Sequence, residues 1–149
     1  MKKNYFLIKV ICIFSLFFSN AIGKEKNYLN EGIKLFKKDK FEESKILFER
    51  DLVFNPKSEK SYLYLAKIFN KDENDNLEEI NLSSVLLLNP QNDEALYMLI
   101  LLKIKSFDYE KARNLIDRFN LVCNSFCSKK NEIEKKLEKI IPEDEKNIN

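Results

Sequence analysis

An all-α fold of stacked helix pairs is predicted by three observations. The dipeptide Asn55-Pro56 recurs as Asn89-Pro90, a period of 34 residues at which helix-turn-helix units repeat in solenoids. The stretches before each dipeptide carry apolar residues at spacings of three and four, the signature of one buried helix face. The 149-residue chain has only two glycines and three prolines, and few β-branched alternations, which argues against sheet.

Three segments align without a gap, at 25–58, 59–92 and 93–126. The fourth place of each holds Tyr28, Tyr62 and Leu96, the eighth Gly32, Ala66 and Ile100, and the eleventh Leu35, Phe69 and Lys103. Two of these columns are apolar or small throughout, so the first helix of each pair is expected to be amphipathic. The second helices repeat the pattern, with Phe41, Ser44, Phe48 and Leu52 in the first segment and Tyr109, Ala112, Ile116 and Phe119 in the third. A small residue such as Ser44 or Ala112 lets two helix backbones approach, and the aromatic three places earlier fills the space beside that contact.

This arrangement resembles the tetratricopeptide repeat family, whose motif has an aromatic at position 17, alanine at 20, a large apolar residue at 24 and proline at 32. The resemblance covers about two thirds of the chain and is carried best by Phe107-Asp108-Tyr109-Glu110-Lys111-Ala112 and by Lys40-Phe41-Glu42-Glu43-Ser44. It implies a right-handed superhelix of about three helix-turn-helix repeats. Four positions depart from the motif. Glu31 stands where leucine is usual at position 7, Asp51 takes a small-residue column, Asn124 replaces the third proline, and Glu78 falls in the alanine column of the middle repeat. Beside Glu78, the charged turn from Lys71 to Asn76 leaves the register of 70–82 open. A two-residue shift would place Ile80 in that column and lengthen the inner loop. The alternative architecture is a closed bundle of five to seven helices with no concave face.

Residues 1–23 read as a leader. Lys2 and Lys3 precede an apolar run from Val10 to Phe18, and Ala21 and Gly23 supply a small-x-small end. These are the parts of a secretory signal peptide, with cleavage expected after Gly23 and a periplasmic or secreted product. An uncleaved anchor is the rival reading, but Lys9 interrupts the apolar run, and the apolar stretch beyond Lys9 is shorter than the ~20 residues a spanning helix needs. Cys12 lies inside that run and does not resemble a lipid-attachment site, so no stable membrane anchor is expected. The frequent Lys, Asn, Ile and Phe suit an AT-rich bacterial genome.

The leader carries Lys2, Lys3 and Lys9, so the balance of 26 basic against 24 acidic residues becomes 23 against 24 in the remainder. No run of Lys or Arg interleaves with aromatics, and a nucleic-acid partner is not expected. Lys37-Lys38 and Lys135-Lys136 read as solvated helix faces. Without histidine the chain lacks a standard Ser-His or Cys-His pair, and it has no Gly-rich phosphate loop. Glu42-Glu43 and Glu78-Glu79 are adjacent, so on a helix they point apart. No enzyme activity, cofactor or metal is expected.

Cys123 and Cys127 are the thiols beyond the leader, four residues apart at the end of the third segment. Asn124-Ser125-Phe126 favours a bend that brings them within bridging range, and an oxidising compartment makes a disulfide plausible. Unpaired buried thiols and a redox or metal site are the other readings. Metal needs further ligands, and redox motifs use Cys-x-x-Cys. The Cys-x-x-x-Cys and the helix after it also resemble the ends of some exported bacterial tetratricopeptide proteins. Over 127–141, Ile133, Leu137, Ile140 and Ile141 form one stripe, expected to cap the open end of the stack. A free recognition helix is the alternative. Pro142 ends it, and 142–149 is expected to be a polar tail without fixed structure.

In the family the first helices line a concave groove. The resemblance implies groove positions at Leu29, Asn30, Ile33, Phe36 and Lys37, at Lys60, Leu63, Tyr64, Lys67, Asn70 and Lys71, and at Glu94, Tyr97, Met98, Leu101, Ile104 and Lys105. Interior packing is the competing reading for Ile33 and Leu101 above all. Leu29 and Ile33 stand where a peptide-carboxylate clamp would need polar residues, so an apolar helix or extended segment of a protein partner is the expected ligand. The functional expectation is a non-catalytic periplasmic adaptor or scaffold that assists assembly of an envelope complex. A permanent structural subunit of a larger envelope machine, using groove and outer faces, is the second reading. A thiol oxidoreductase using Cys123 and Cys127 is the third. The oligomeric state is left open.

Overall fold

The computed structural model describes residues 27–140; the leader at 1–23 and the tail at 142–149 lie outside the described residues. Seven α-helices, and no strand, occur among the described residues: α1 (Tyr28–Phe36), α2 (Phe41–Phe54), α3 (Glu59–Lys71), α4 (Asp75–Leu88), α5 (Asp93–Lys105), α6 (Tyr109–Val122) and α7 (Lys130–Ile140). A short 3-10 turn, Cys127–Lys129, leads into α7. Asn27, Asn74, Asn92 and Asp108 each accept a bond from a backbone N–H in the first turn of their helix, which fixes the starts of α1, α4, α5 and α6.

The turn inside each pair is built the same way three times. Asp39, Glu73 and Phe107, each 34 residues from the next, adopt left-handed backbone with φ of 57°, 54° and 60°. The N–H after each reaches back to close the preceding helix, Lys40 to Leu35 O, Asn74 to Phe69 O and Asp108 to Lys103 O, at 3.1, 2.9 and 2.9 Å. The middle turn therefore holds no extra residue. The two-residue shift that would put Ile80 in the small column is corrected: Ile80 is 52% exposed, whereas Glu78 occupies the column at 1%. The Asn70 amide, 3.1 Å from both Glu78 carboxylate oxygens, makes that burial tolerable.

Close helix approach in the first pair depends on Gly32. The Ser44 hydroxyl donates to the Gly32 carbonyl at 3.0 Å, and a Cβ on Gly32 would lie 2.7 Å from Cε1 of the buried Phe48 ring. Between repeats, the unusual Asp51 accepts from Ser61 and from the Asn55 amide at 3.0 Å, and Ser58 donates to Ser61. A carboxylate at the first place of a segment ties the next junction in the same spirit. Glu59 accepts from the side chains of Asn89 and Asn92 at 3.0 and 2.6 Å, and Asp93 from the backbone of Asn124 and Phe126 at 2.8 and 2.9 Å.

The apolar interior is two clusters sharing α3, not one closed centre. Leu65, Ile68 and Phe69 join Phe48, with Leu29, Ile33, Phe36, Phe41, Tyr64 and Leu77 against them. From another side of the same helix, Leu63 and Ala66 join the larger cluster that runs through α4, α5 and α6 to Ile133 and Leu137 of α7. Helix α5 is buried on most of its surface because α4, α6 and α7 all pack on it. Its Lys103 escapes an unpaired burial by reaching Glu79. Helix α7 covers the end of the stack with an apolar stripe, so the architecture is a helical-repeat stack with a cap, not a bundle.

Candidate functional site

The first helices of the three pairs, together with Glu78 of α4, frame an open hollow of about 440 Å³, lined by Phe36, Lys67, Asn70, Lys71, Glu78, Glu94, Tyr97, Met98 and Leu101. Spacings of three and four along α3 and α5 put Lys67, Asn70 and Lys71 on one wall and Glu94, Tyr97, Met98 and Leu101 on the other. Lys67 and Glu94 meet across the mouth at 2.8 Å. The Lys67 ammonium also lies 4.9 Å from the centre of the Tyr64 ring, and Lys71 lies 4.6 Å from that of Phe41.

Aromatic packing holds the N-terminal wall. Tyr64 stacks on Phe48 at 5.0 Å and meets Phe36 edge-on at 5.0 Å, while Phe36 also meets Phe41 edge-on at 5.3 Å. The C-terminal wall is held by the cap. The Tyr97 hydroxyl donates to Glu132 at 3.1 Å, its ring packs on Phe126 at 5.6 Å, and Lys129 sits 5.7 Å from its centre. Burial and the bond to Glu132 raise the Tyr97 pKa, so the phenol stays protonated. Lys129, Lys136 and Tyr97 together lower Glu132 to about 2. Cys123 and Cys127 form a disulfide in the structure, with Cα atoms 5.2 Å apart across the bend that carries Phe126.

Of the residues the sequence places in a groove, Phe36, Lys67, Lys71, Tyr97, Met98 and Leu101 line the hollow, and so do Asn70 and Glu94. Tyr64 backs the wall from beneath Lys67. Leu29 and Ile33 do not line it; they pack against the Phe48 cluster. Leu63 is a correction: it is 8% exposed and belongs to the larger core, because α3 has neighbours on both sides and this column turns inward there. Ile104 is buried in the same way, and Lys105 pairs outside the hollow with Asp75 at 2.6 Å.

Sequence reasoning missed Glu78 as a lining residue. Burial pushes its carboxyl above the usual range and nearby Asp75 adds to the rise, against the opposing effects of the Asn70 amide and Lys105. The signal was Asn70, eight residues earlier, a donor at a groove place facing the alanine column. Chemically the hollow offers apolar area from Phe36, Tyr97, Met98 and Leu101, a paired charge at its mouth and an acid at its base. Among the described residues no group of three or more acids or cysteines converges to hold a metal, and no helix is long and apolar enough to cross a membrane.

No family model matches this chain, and no curated protein matches it. Solved structures do. The Yersinia enterocolitica type III secretion translocator chaperone SycD is similar with a TM-score of 0.68 at 13% identity, over 84% of this chain and 90% of that one. The CopN-Scc3 complex contains a chain similar with a TM-score of 0.62 at 15% identity, over 81% of this chain and 72% of that one. At such identities the likeness is one of fold, and that fold is the tetratricopeptide-like superhelix of three helix pairs with a C-terminal capping helix.

Proposed function

We propose that this protein is a non-catalytic interaction module that grips an apolar segment of a partner protein, helical or extended, in the hollow between α1, α3 and α5. The observation that carries the reading is the hollow itself: four large apolar side chains, Phe36 from α1 and Tyr97, Met98 and Leu101 from α5, face one concavity whose mouth is framed by Lys67 and Glu94. Apolar anchors inside a charged rim are the anatomy of a peptide-binding groove. The fold it shares with the translocator chaperone SycD, and with a chain of the CopN-Scc3 complex, supports a protein partner. We place the module in the periplasm as an adaptor in envelope assembly, on the strength of the leader-like residues 1–23 and of a disulfide suited to an oxidising compartment.

Selection of peptides from a displayed library on the purified protein, followed by calorimetry, tests the binding role. Selected peptides should carry apolar anchors and lose at least tenfold in affinity to Met98→Asp or Leu101→Asp, with Lys57→Asp, in the exposed turn between α2 and α3, neutral. Peptides indifferent to both hollow variants would refute the site. Terminal sequencing of the exported product should begin at Lys24; an intact leader on protein held in the cytoplasm would refute the location.

A further inference from the structure

The outer side of the stack carries a second regularity. Val53, Leu87 and Leu121, at the same place in α2, α4 and α6 and 34 residues apart, are 77%, 84% and 86% exposed. One heptad earlier in the first two helices, Ile46 and Ile80 are exposed as well, and a seven-residue step returns to the same helix face. Isolated exposed apolar residues are ordinary, but a row repeated at one place in three helices is not scatter.

The charges on this face have their own order. Between Ile80 and Leu87 the middle helix shows only Ser83 and Ser84, and the Ser84 hydroxyl is satisfied by Ile80 O at 2.9 Å. The corresponding pairs on the flanking helices are Glu49-Arg50 on α2 and Asp117-Arg118 on α6. Glu49, Arg50 and Asp117 are exposed and form no ion pair among the described residues, while Arg118 uses one nitrogen to donate to Pro90 O at 2.6 Å.

We propose that this face binds a second copy of the chain about a twofold axis passing through the centre of α4. Such an axis runs α4 antiparallel to its counterpart, setting Ile80 against Leu87 of the second copy and the serines against each other. The axis runs across the three helices, so it lays α2 against α2 of the second copy, and α6 against α6, in the same antiparallel sense. Glu49 then opposes Arg50 of the second copy, Asp117 opposes Arg118, and Ile46 opposes Val53. An isologous interface must be self-complementary, and an apolar neutral centre flanked by Glu-Arg on one side and Asp-Arg on the other satisfies that condition. The hollow on the opposite side stays open in both copies.

Sedimentation equilibrium of the purified full chain, in the form the cell retains, tests this directly. The expected mass is that of a dimer, shifting to monomer in Leu87→Glu. Glu49→Arg and Arg50→Glu should each raise the dissociation constant at least tenfold, and the double variant should restore dimerisation, because each copy then presents the reversed pair. All these positions are exposed, and unchanged circular dichroism confirms folding of each variant. A monomer at every concentration, a dimer indifferent to Leu87→Glu, or a double variant no better than the singles overturns the proposal. A monomer whose Leu87 is shielded by another segment of the chain, or by a different protein, overturns it as well.

Discussion

Asn70 holds Glu78 in the interior: its amide lies 3.1 Å from both carboxylate oxygens, joining the end of α3 to the start of α4 at the base of the hollow. An acid in a column suited to alanine thus becomes part of the concave wall. Its desolvated carboxyl binds protons more tightly in the folded state than in the unfolded chain.

The raised pKa makes stability depend on pH. The favourable contribution is present below the unfolded carboxylate value and is lost as pH rises through the folded one, since ionising Glu78 in place costs desolvation. Glu78→Gln keeps an acceptor for Asn70 and removes that loss. It should therefore be more stable than the parent at pH 7 and equal to it near pH 4, by urea denaturation at both values. A parent more stable than the variant at pH 7 would show that the ionised pair is favourable.

Asp51 behaves in the opposite sense. Burial raises its pKa, but the hydroxyls of Ser58 and Ser61 and the Asn55 amide around it outweigh that and leave it lowered. Its contribution is present above the unfolded value and fades as pH falls through the folded one. Asp51→Ala leaves buried donors without an acceptor and should cost about 2–3 kcal/mol at neutral pH. The deficit should shrink in acid; thermal melts at pH 7 and pH 3 measure both.

Gly32→Ala opposes two effects. Alanine is the better helix former by about 1 kcal/mol, yet its Cβ would press on Phe48, a fully buried ring already stacked on Tyr64. Overpacking costs about 1–3 kcal/mol, so a net loss on the order of 1 kcal/mol is expected in chemical denaturation. A gain would mean that the aromatic cluster yields.

The disulfide closes a short loop. In the loop-entropy model, five residues correspond to about 2 kcal/mol, so the Cys123→Ser, Cys127→Ser double variant should lose roughly that amount under oxidising conditions. Equal stability of parent and variant without reductant would show that the thiols are not joined in solution.

The helix pairs were legible because the 34-residue period and the small residues at Ser44, Ala66 and Ala112 are local signals. The cap was legible in the Ile133 and Leu137 stripe. The hollow was less so. Leu29, Leu63 and Tyr97 share one place in the repeat, yet Leu29 packs beside Phe48, Leu63 is core and Tyr97 lines the cavity. What decides is the neighbour each repeat meets: a second repeat after the first, one on either side of the middle, and α7 beyond the third. A column of equivalent positions carries no record of those neighbours. Glu78 escaped for a related reason, since its burial depends on a donor in another helix.

The central claim is that the partner is held inside the concavity. A photo-reactive amino acid placed at Met98, with the same group at Glu43 on the outer side as control, tests it in cells that make the protein. The account predicts one identified chain captured from Met98 and not from Glu43, with capture suppressed by Leu101→Asp. Equal capture of that chain from both positions would contradict it.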